Sequence, residues 1–201
     1  MNKYISEFFN LKSSGDVLNV VYPVLNMQKE ITESMAVMRH IRKITLKEPM
    51  KYTLYDLCAG NALTSVIAVH LLPIKKAIAI DKKVRKRKWH LAKRFSYINE
   101  DIFSVHPTYF EKDAILIGVH ACTNLTDRII ELYQQSAAKY LILMPCCVGK
   151  IKINYPDIIK AKLGKYMIWC WQLSNKCNGR FSIDEHVLSP KNIIITAKKE
   201  G

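Results

Sequence analysis

Glycine and proline are scarce, seven of each in 201 residues, and neither an internal repeat nor a low-complexity linker interrupts the chain. No apolar stretch approaches the roughly 18 residues that a membrane span requires. The opening MNKYISEFFNLKSSGD scatters charge where a secretory signal would have a continuous apolar core. A transmembrane or exported protein is therefore not expected. The six cysteines include no C-x2-C pair, and the adjacent Cys146-Cys147 is a poor start for a tetrahedral metal site. They read as reduced thiols of a cytoplasmic protein, with no metal expected. Acids are the other shortage: 17 Asp+Glu against 31 Lys+Arg leave a formal charge of +14. Such a surface attracts polyanions, and nucleic acid is the commonest polyanion a basic soluble protein meets.

What is present suffices for a core. Hydrophobic residues make up 49% of the chain, and the length suits one globular unit. Helical spacing runs from Val24 to Lys43, with Leu25, Ile31, Met35, Met38 and Ile41 on one broad face behind Pro23. Residues 1–50 thus read as an N-terminal helical extension packed on the core. From Tyr52 onward the pattern alternates. Strands are expected at Thr53–Leu57, Ala77–Ile80, Ser96–Ile98, Ala114–Val119 and Tyr140–Met144. Amphipathic helices are expected at Leu63–Leu72, Val84–Phe95 and Asn124–Ala137, and two more within Tyr155–Asn175, broken near Gly164. This is the βαβ signature of a parallel sheet with helices on both faces. The last two runs, Ser182–Leu188 and Asn192–Ala197, flank Ser189-Pro190-Lys191 and predict an antiparallel hairpin.

Candidate ligand-binding residues sit where those strands end. The first strand leads into Asp56-Leu57-Cys58-Ala59-Gly60-Asn61-Ala62, a carboxylate followed by small residues that let a ligand approach the backbone. The dinucleotide pattern G-x-G-x-x-G is not met, which argues against a nicotinamide enzyme. The second strand ends in Asp81-Lys82, placed to accept ribose hydroxyls, and the third is followed by Asp101-Ile102, placed to meet an adenine amino group. Asp81 and Asp101 serve equally well as helix caps when taken singly. Ligands of parallel sheets bind at the carboxyl ends of the strands, so three successive acids there form a stronger signal than any one.

These features resemble the class I S-adenosylmethionine-dependent methyltransferases. Gly118-Val119-His120-Ala121-Cys122-Thr123-Asn124-Leu125-Thr126-Asp127 is similar to the "H-x-C-G-x-L/A-T-D" signature of one subgroup, and Leu143-Met144-Pro145-Cys146-Cys147 to its "P-C-C". That subgroup includes tRNA 2′-O-methyltransferases and the methyltransferase domain 32 group. Lys29 and Glu33 echo its upstream "K-K-x-H-E" helix. The resemblance covers roughly Lys51 to Lys199. It implies a Rossmann-like seven-stranded sheet over residues 51–201, mostly parallel with a C-terminal antiparallel hairpin. It also implies S-adenosylmethionine held by Asp56, Cys58, Ala59, Gly60, Asn61, Asp81, Lys82, Asp101, Ile102 and His120, and RNA (tRNA or rRNA) as substrate. Cys58 and Ala62 stand where the family has glycines, and Asn124 where the subgroup does.

His120 is the candidate catalytic residue, as hydrogen-bond partner or proton acceptor near the transferred methyl; capping of the following helix by a buried histidine is the alternative. The basic stretch Val84–Arg94, read as a helix, is the expected RNA surface. Two other readings stand beside this one. The first is a methyltransferase-fold RNA-binding protein without activity. The second is an RNA 5-methylcytosine enzyme using Cys122, Cys146 or Cys147 as nucleophile, although Cys146 and Cys147 read as buried structural thiols.

Overall fold

Apolar runs that are buried on both sides belong in the middle of a parallel sheet, and that is where the alternating part of the chain puts them. The computed structural model describes residues 2–151 and 155–200. Seven strands, β1 (Thr53–Leu57), β2 (Lys76–Asp81), β3 (Phe95–Asn99), β4 (Ala114–Val119), β5 (Tyr140–Met144), β6 (Arg180–Ile183) and β7 (Ile193–Lys198), form one sheet of order β3-β2-β1-β4-β5-β7-β6. β1 to β5 pair in parallel, and β7 is antiparallel to both β5 and β6. This is the Rossmann-like methyltransferase fold. The strand order reverses between β1 and β4, whose carboxyl ends therefore flank the crevice where such sheets bind ligands.

Successive strand residues face opposite sides, and two apolar clusters result. On one side α1 (Lys3–Phe9), α2 (Ser14–Val21), α3 (Met27–Thr45) and α4 (Leu63–Leu71) cover Leu54, Ile115 and Ile142. On the other, α5 (Asn124–Gln135) and α6 (Asp157–Lys176) cover Leu57, Leu116 and Leu143. Within α3 the spacing of Ile31, Met35, Met38 and Ile41 buries all four side chains. Arg42 and Lys43 in its last turn complement the helix dipole. The expected start at Val24 is corrected: the helix begins at Met27, and Leu25 lies outside it, 95% exposed. Gly164 does break α6, with φ 71° and ψ 158°.

Two further expectations fail for identifiable reasons. Val84–Phe95 is not a helix: residues 84–94 form an irregular loop with one short 3₁₀ turn, Trp89–Leu91, and Phe95 already opens β3. A helix would set Arg85 and Lys88 one turn apart, like charge over like charge. Trp89 instead stacks on Tyr97, ring centroids 4.9 Å apart, and its indole N–H donates to the Arg85 carbonyl. Trp89 is thus paired within the protein rather than offered to bases. The strand expected over Ser182–Leu188 stops at Ile183. There Asp184 leaves the sheet for the N-terminal helices, accepting from the Tyr4 hydroxyl and lying 3.7 Å from Arg39, while Leu188 N–H donates to Thr32 Oγ1. Among the described residues no helix is long and apolar enough to cross a membrane.

Candidate functional site

At the carboxyl edge of β1 and β2 the backbone winds tightly. The amides of Cys58 and Ala59 both donate to the Ile80 carbonyl, and Ala62 N–H closes the turn onto Ala59. Cys58, Gly60 and Ala62 all adopt left-handed φ, at 62°, 55° and 52°. For a residue bearing Cβ this costs about 1–2 kcal/mol, so the glycines expected at Cys58 and Ala62 would relieve strain that this chain retains. His120 (φ 57°) and Thr123 (φ 41°), after β4, also have positive φ. Strained backbone of this kind clusters at functional sites in proteins generally.

Two cavities open at this edge. One, of about 280 Å³, is lined by Lys29, Glu30 and Glu33 of α3 together with Asp56, Gly60 and Asn61. The other, of about 350 Å³, is lined by Asp81, Lys82, Asp101, Ile102, Cys122 and Leu125. Cys58, Arg85 and His120 border both, so the two form a single trough bent around the first turn.

The acids in the trough have distinct settings. Asp56 is 2% exposed, and Ser65 Oγ donates to its Oδ2 at 2.7 Å. Burial, helped by the charge of Asp81 and opposed by the Ser65 hydrogen bond, pushes its pKa up to about 7. Asp81 receives the Gly60 N–H on one oxygen and the Lys83 N–H on the other, both at 2.8 Å. Its carboxylate is thereby fixed, and each oxygen keeps a further lone pair for a ligand hydroxyl. Asp101 is less available than expected: Lys82 Nζ lies 2.9 Å from one oxygen, and the Phe103 N–H donates to the other. Both Lys82 and Asp101 are exposed enough for that ion pair to be worth little. Burial pushes the Cys58 thiol up to about 12, which keeps it neutral.

His120 and α3 meet across the first cavity. Nε2 of the imidazole is 2.7 Å from Glu33 Oε1, and Lys29 Nζ is 3.6 Å from the same oxygen. The imidazole and carboxylate are close but not aligned for a straight hydrogen bond, and neither atom has another hydrogen-bond partner among the described residues. Asn61 uses its amide N–H₂ to reach both oxygens of Glu30 at 3.2 Å, and Arg87 Nη2 donates to the Asn61 carbonyl oxygen. Burial raises the Glu30 pKa, and the Asn61 hydrogen bond partly offsets this.

All the expected trough residues come together: Asp56, Cys58, Ala59, Gly60, Asn61 and His120 line the first cavity, and Asp81, Lys82, Asp101 and Ile102 the second. Sequence reasoning missed Glu30, Ser34 and Arg85. For the two α3 residues the signal was a cluster of polar side chains, Lys29, Glu30, Glu33 and Ser34, in the first half of an amphipathic helix. The view of Cys146 and Cys147 as buried is also corrected, since Cys146 is half-buried and Cys147 exposed. All six cysteines are free thiols.

Residues 27–154 match the model of a family described as "Methyltransferase domain", the domain 32 group. Among curated proteins, the chain is 28% identical over 128 residues to the glutathione S-transferase C-terminal domain-containing protein of Bos taurus, and 29% over 116 residues to that of Mus musculus. These alignments cover 57% and 53% of this chain but 20% and 18% of those proteins. The chain thus spans about a fifth of the length of the curated relatives it matches. Among solved structures, magnesium protoporphyrin IX methyltransferase from Synechocystis PCC 6803 with bound SAH superposes with a TM-score of 0.54, at 11% identity over 98% of each chain. At that identity the likeness is one of fold.

Proposed function

This chain belongs to the methyltransferase domain family, and from that premise we propose that it is an S-adenosylmethionine-dependent methyltransferase acting on RNA. The observation that carries the reading is the bent trough at the strand-order reversal, with Asp56 lining one of its cavities and Asp81 the other. The donor set fits the cofactor. Asp81, held by two backbone amides, suits a ribose diol, and Ile102 offers an apolar side to an adenine ring. In the first cavity Asp56, Glu30 and Glu33 suit a cationic amino acid end, while Lys29 and Arg85 suit its carboxylate. The Arg85 Nε is buried without a hydrogen-bond partner although the residue is only half-buried, and a guanidinium with a free N–H suits an anion.

When bound, S-adenosylmethionine supplies an electrophilic methyl group. The protein's own part is then chiefly orientation of an oxygen or nitrogen nucleophile, which needs few catalytic side chains. His120 stands between the two cavities. With Nε2 turned toward Glu33, its Nδ1 is the nitrogen left to take a proton from the nucleophile.

Calorimetric titration with the methyl donor and its demethylated product tests the cofactor. Asp81→Asn cannot accept both backbone amides and a diol. It should weaken binding by about 1.5–3 kcal/mol, roughly ten- to a hundredfold, the worth of charge-assisted hydrogen bonds. No heat from the wild-type chain at millimolar donor would remove the reading.

The RNA part rests on the basic loop after β2. Arg85 and Arg87 are held in the protein, the latter through the Pro23 carbonyl and Asn61. Lys86, Lys88 and Lys93 are exposed. Replacing these three with Glu should weaken tRNA binding by about tenfold or more and lower the slope of log affinity on log salt by about three. Donor affinity should be unchanged. Fluorescence anisotropy at two salt concentrations reads the effect, and an unaltered RNA affinity would return the loop to an ordinary solvated surface.

A further inference from the structure

β4 and β5 are parallel neighbours, paired as far as Val119 and Met144, so the residues after each strand emerge side by side. The His120 N–H continues the ladder by donating to the Met144 carbonyl. Two residues beyond His120 comes Cys122, and two beyond Met144 comes Cys146, followed by Cys147. Their sulfurs form a tight triangle: Cys122 Sγ is 3.1 Å from Cys146 Sγ and 3.1 Å from Cys147 Sγ, and the latter two are 3.5 Å apart. The ligand atoms of all three lie within 4.8 Å of one another.

We infer that Cys122, Cys146 and Cys147 form a binding site for a thiophilic divalent cation of the zinc class, with three thiolate ligands and a fourth, exchangeable position open to solvent. The three sulfurs can be spanned by one cation. At the usual zinc–sulfur distance of about 2.3 Å it would sit roughly 1.3 Å out of their plane, as the apex of a steep trigonal pyramid, and a spread of the sulfurs to about 3.8 Å would make the site regularly tetrahedral. Three protein ligands and one open position is the arrangement of zinc sites that exchange a ligand, whereas purely structural sites are closed by four. Soft sulfur donors select zinc or copper(I) over magnesium or calcium. A disulfide accounts for the cluster less well, because pairing any two sulfurs strands the third.

The surroundings act in both directions. Burial pushes the Cys122 and Cys146 thiols up, whereas hydrogen bonds from Cys122 and Cys146, helped by the Lys191 ammonium, pull Cys147 down. α5 starts at Asn124, two residues after Cys122, so the positive end of its dipole lies near the cluster. Binding would release the thiol protons to solvent, so affinity should increase with pH. Cys147 is exposed, which gives a cation an entry path. Cys122 also lines the second cavity of the trough, so a bound cation would pin the β4 and β5 loops that wall it. The inference does not depend on what the trough binds.

The test uses the full chain, reduced with a non-chelating phosphine and titrated with cobalt(II) alone. Expected is a sulfur-to-cobalt charge-transfer band that saturates at one cobalt per chain and disappears when zinc is added. Cys122→Ser and Cys147→Ser should each lower cobalt affinity by about tenfold or more, since even outer partners of metal ligands are worth that much. Cys170→Ser, which alters a thiol outside the cluster, should leave the titration unchanged. A second measurement needs no substitution: zinc should protect Cys122, Cys146 and Cys147 from alkylation, read peptide by peptide by mass spectrometry, and leave Cys58 as reactive as before. The inference is overturned if the folded, reduced wild-type chain gives no charge-transfer band. It is equally overturned if zinc protects none of the three, or if the cluster is found only as a disulfide that binds no cobalt once reduced.

Discussion

Asp56→Asn should make the protein about 2–4 kcal/mol more stable at about pH 8 and remove the Asp56 share of the pH dependence of stability between roughly pH 4 and 7. The reason lies in the Asp56 carboxyl, whose pKa is raised to about 7 by burial at the end of β1, against about 3.9 in an unfolded chain. Below the lower value both states hold the proton, and Asp56 contributes no pH dependence. Between the two values the folded protein retains a proton that the unfolded chain has released, so stability falls as pH rises. Above about 7 the folded state bears the full cost of a buried carboxylate. Asparagine never ionises, and its side-chain oxygen still accepts from Ser65. Urea denaturation of both proteins at about pH 5 and pH 8 measures the difference. A variant no more stable at the higher pH would refute the argument. The gain in stability should come with weaker donor binding, because a charge kept at such expense faces the first cavity. Sites of this kind are where natural proteins give up stability for function.

His120→Ala should lower stability by about 2–3 kcal/mol, an effect that does not depend on any ligand. Glu33 is a carboxylate 2% exposed, and its near neighbours are His120 Nε2 at 2.7 Å and Lys29 Nζ at 3.6 Å. Removing one partner of a buried pair costs roughly 3–5 kcal/mol because the other is left desolvated. The figure here is reduced because His120 is partly exposed and Lys29 remains. Glu33→Gln, and the double variant, complete a mutant cycle measured by urea denaturation. Coupling above about 1 kcal/mol is expected, and additivity within about 0.5 kcal/mol would show that the two side chains do not support each other.

Much of the fold is legible in the sequence, for a physical reason. Strands buried on both faces must be continuously apolar, and β1, β2, β4 and β5 are read to within a residue on that basis. Strand ends then place Asp56, Asp81 and Asp101 on one edge without further information, since parallel strands share a direction. Elements whose conformation depends on a distant partner are not legible. The 84–94 loop looks helical by composition, yet its path follows from the Trp89–Tyr97 stack. β6 ends early because Asp184 finds Tyr4 and Arg39 about 150–180 residues away in sequence. The first cavity's acidic wall is hidden for the same reason, because Glu30 and Glu33 reach the trough only when α3 docks. The sulfur triangle is also invisible to a spacing rule. Its ligands come from two strand ends brought side by side by the sheet, while such rules look for ligands a few residues apart.

The docking of α3 also bears on how this molecule should be divided. The alternating, sheet-forming part starts near residue 51, and a boundary drawn there looks natural on a topology diagram. It would nonetheless cut the trough lengthwise: the fragment would keep every strand and the acids at their ends, but lose one bank of the channel and the partner of its histidine. It would also uncover the sheet face and α4 surface that Ile31, Met35, Met38 and Ile41 now shield from water. The working unit is therefore larger than the sheet unit, and its first indispensable helix begins before the sheet does.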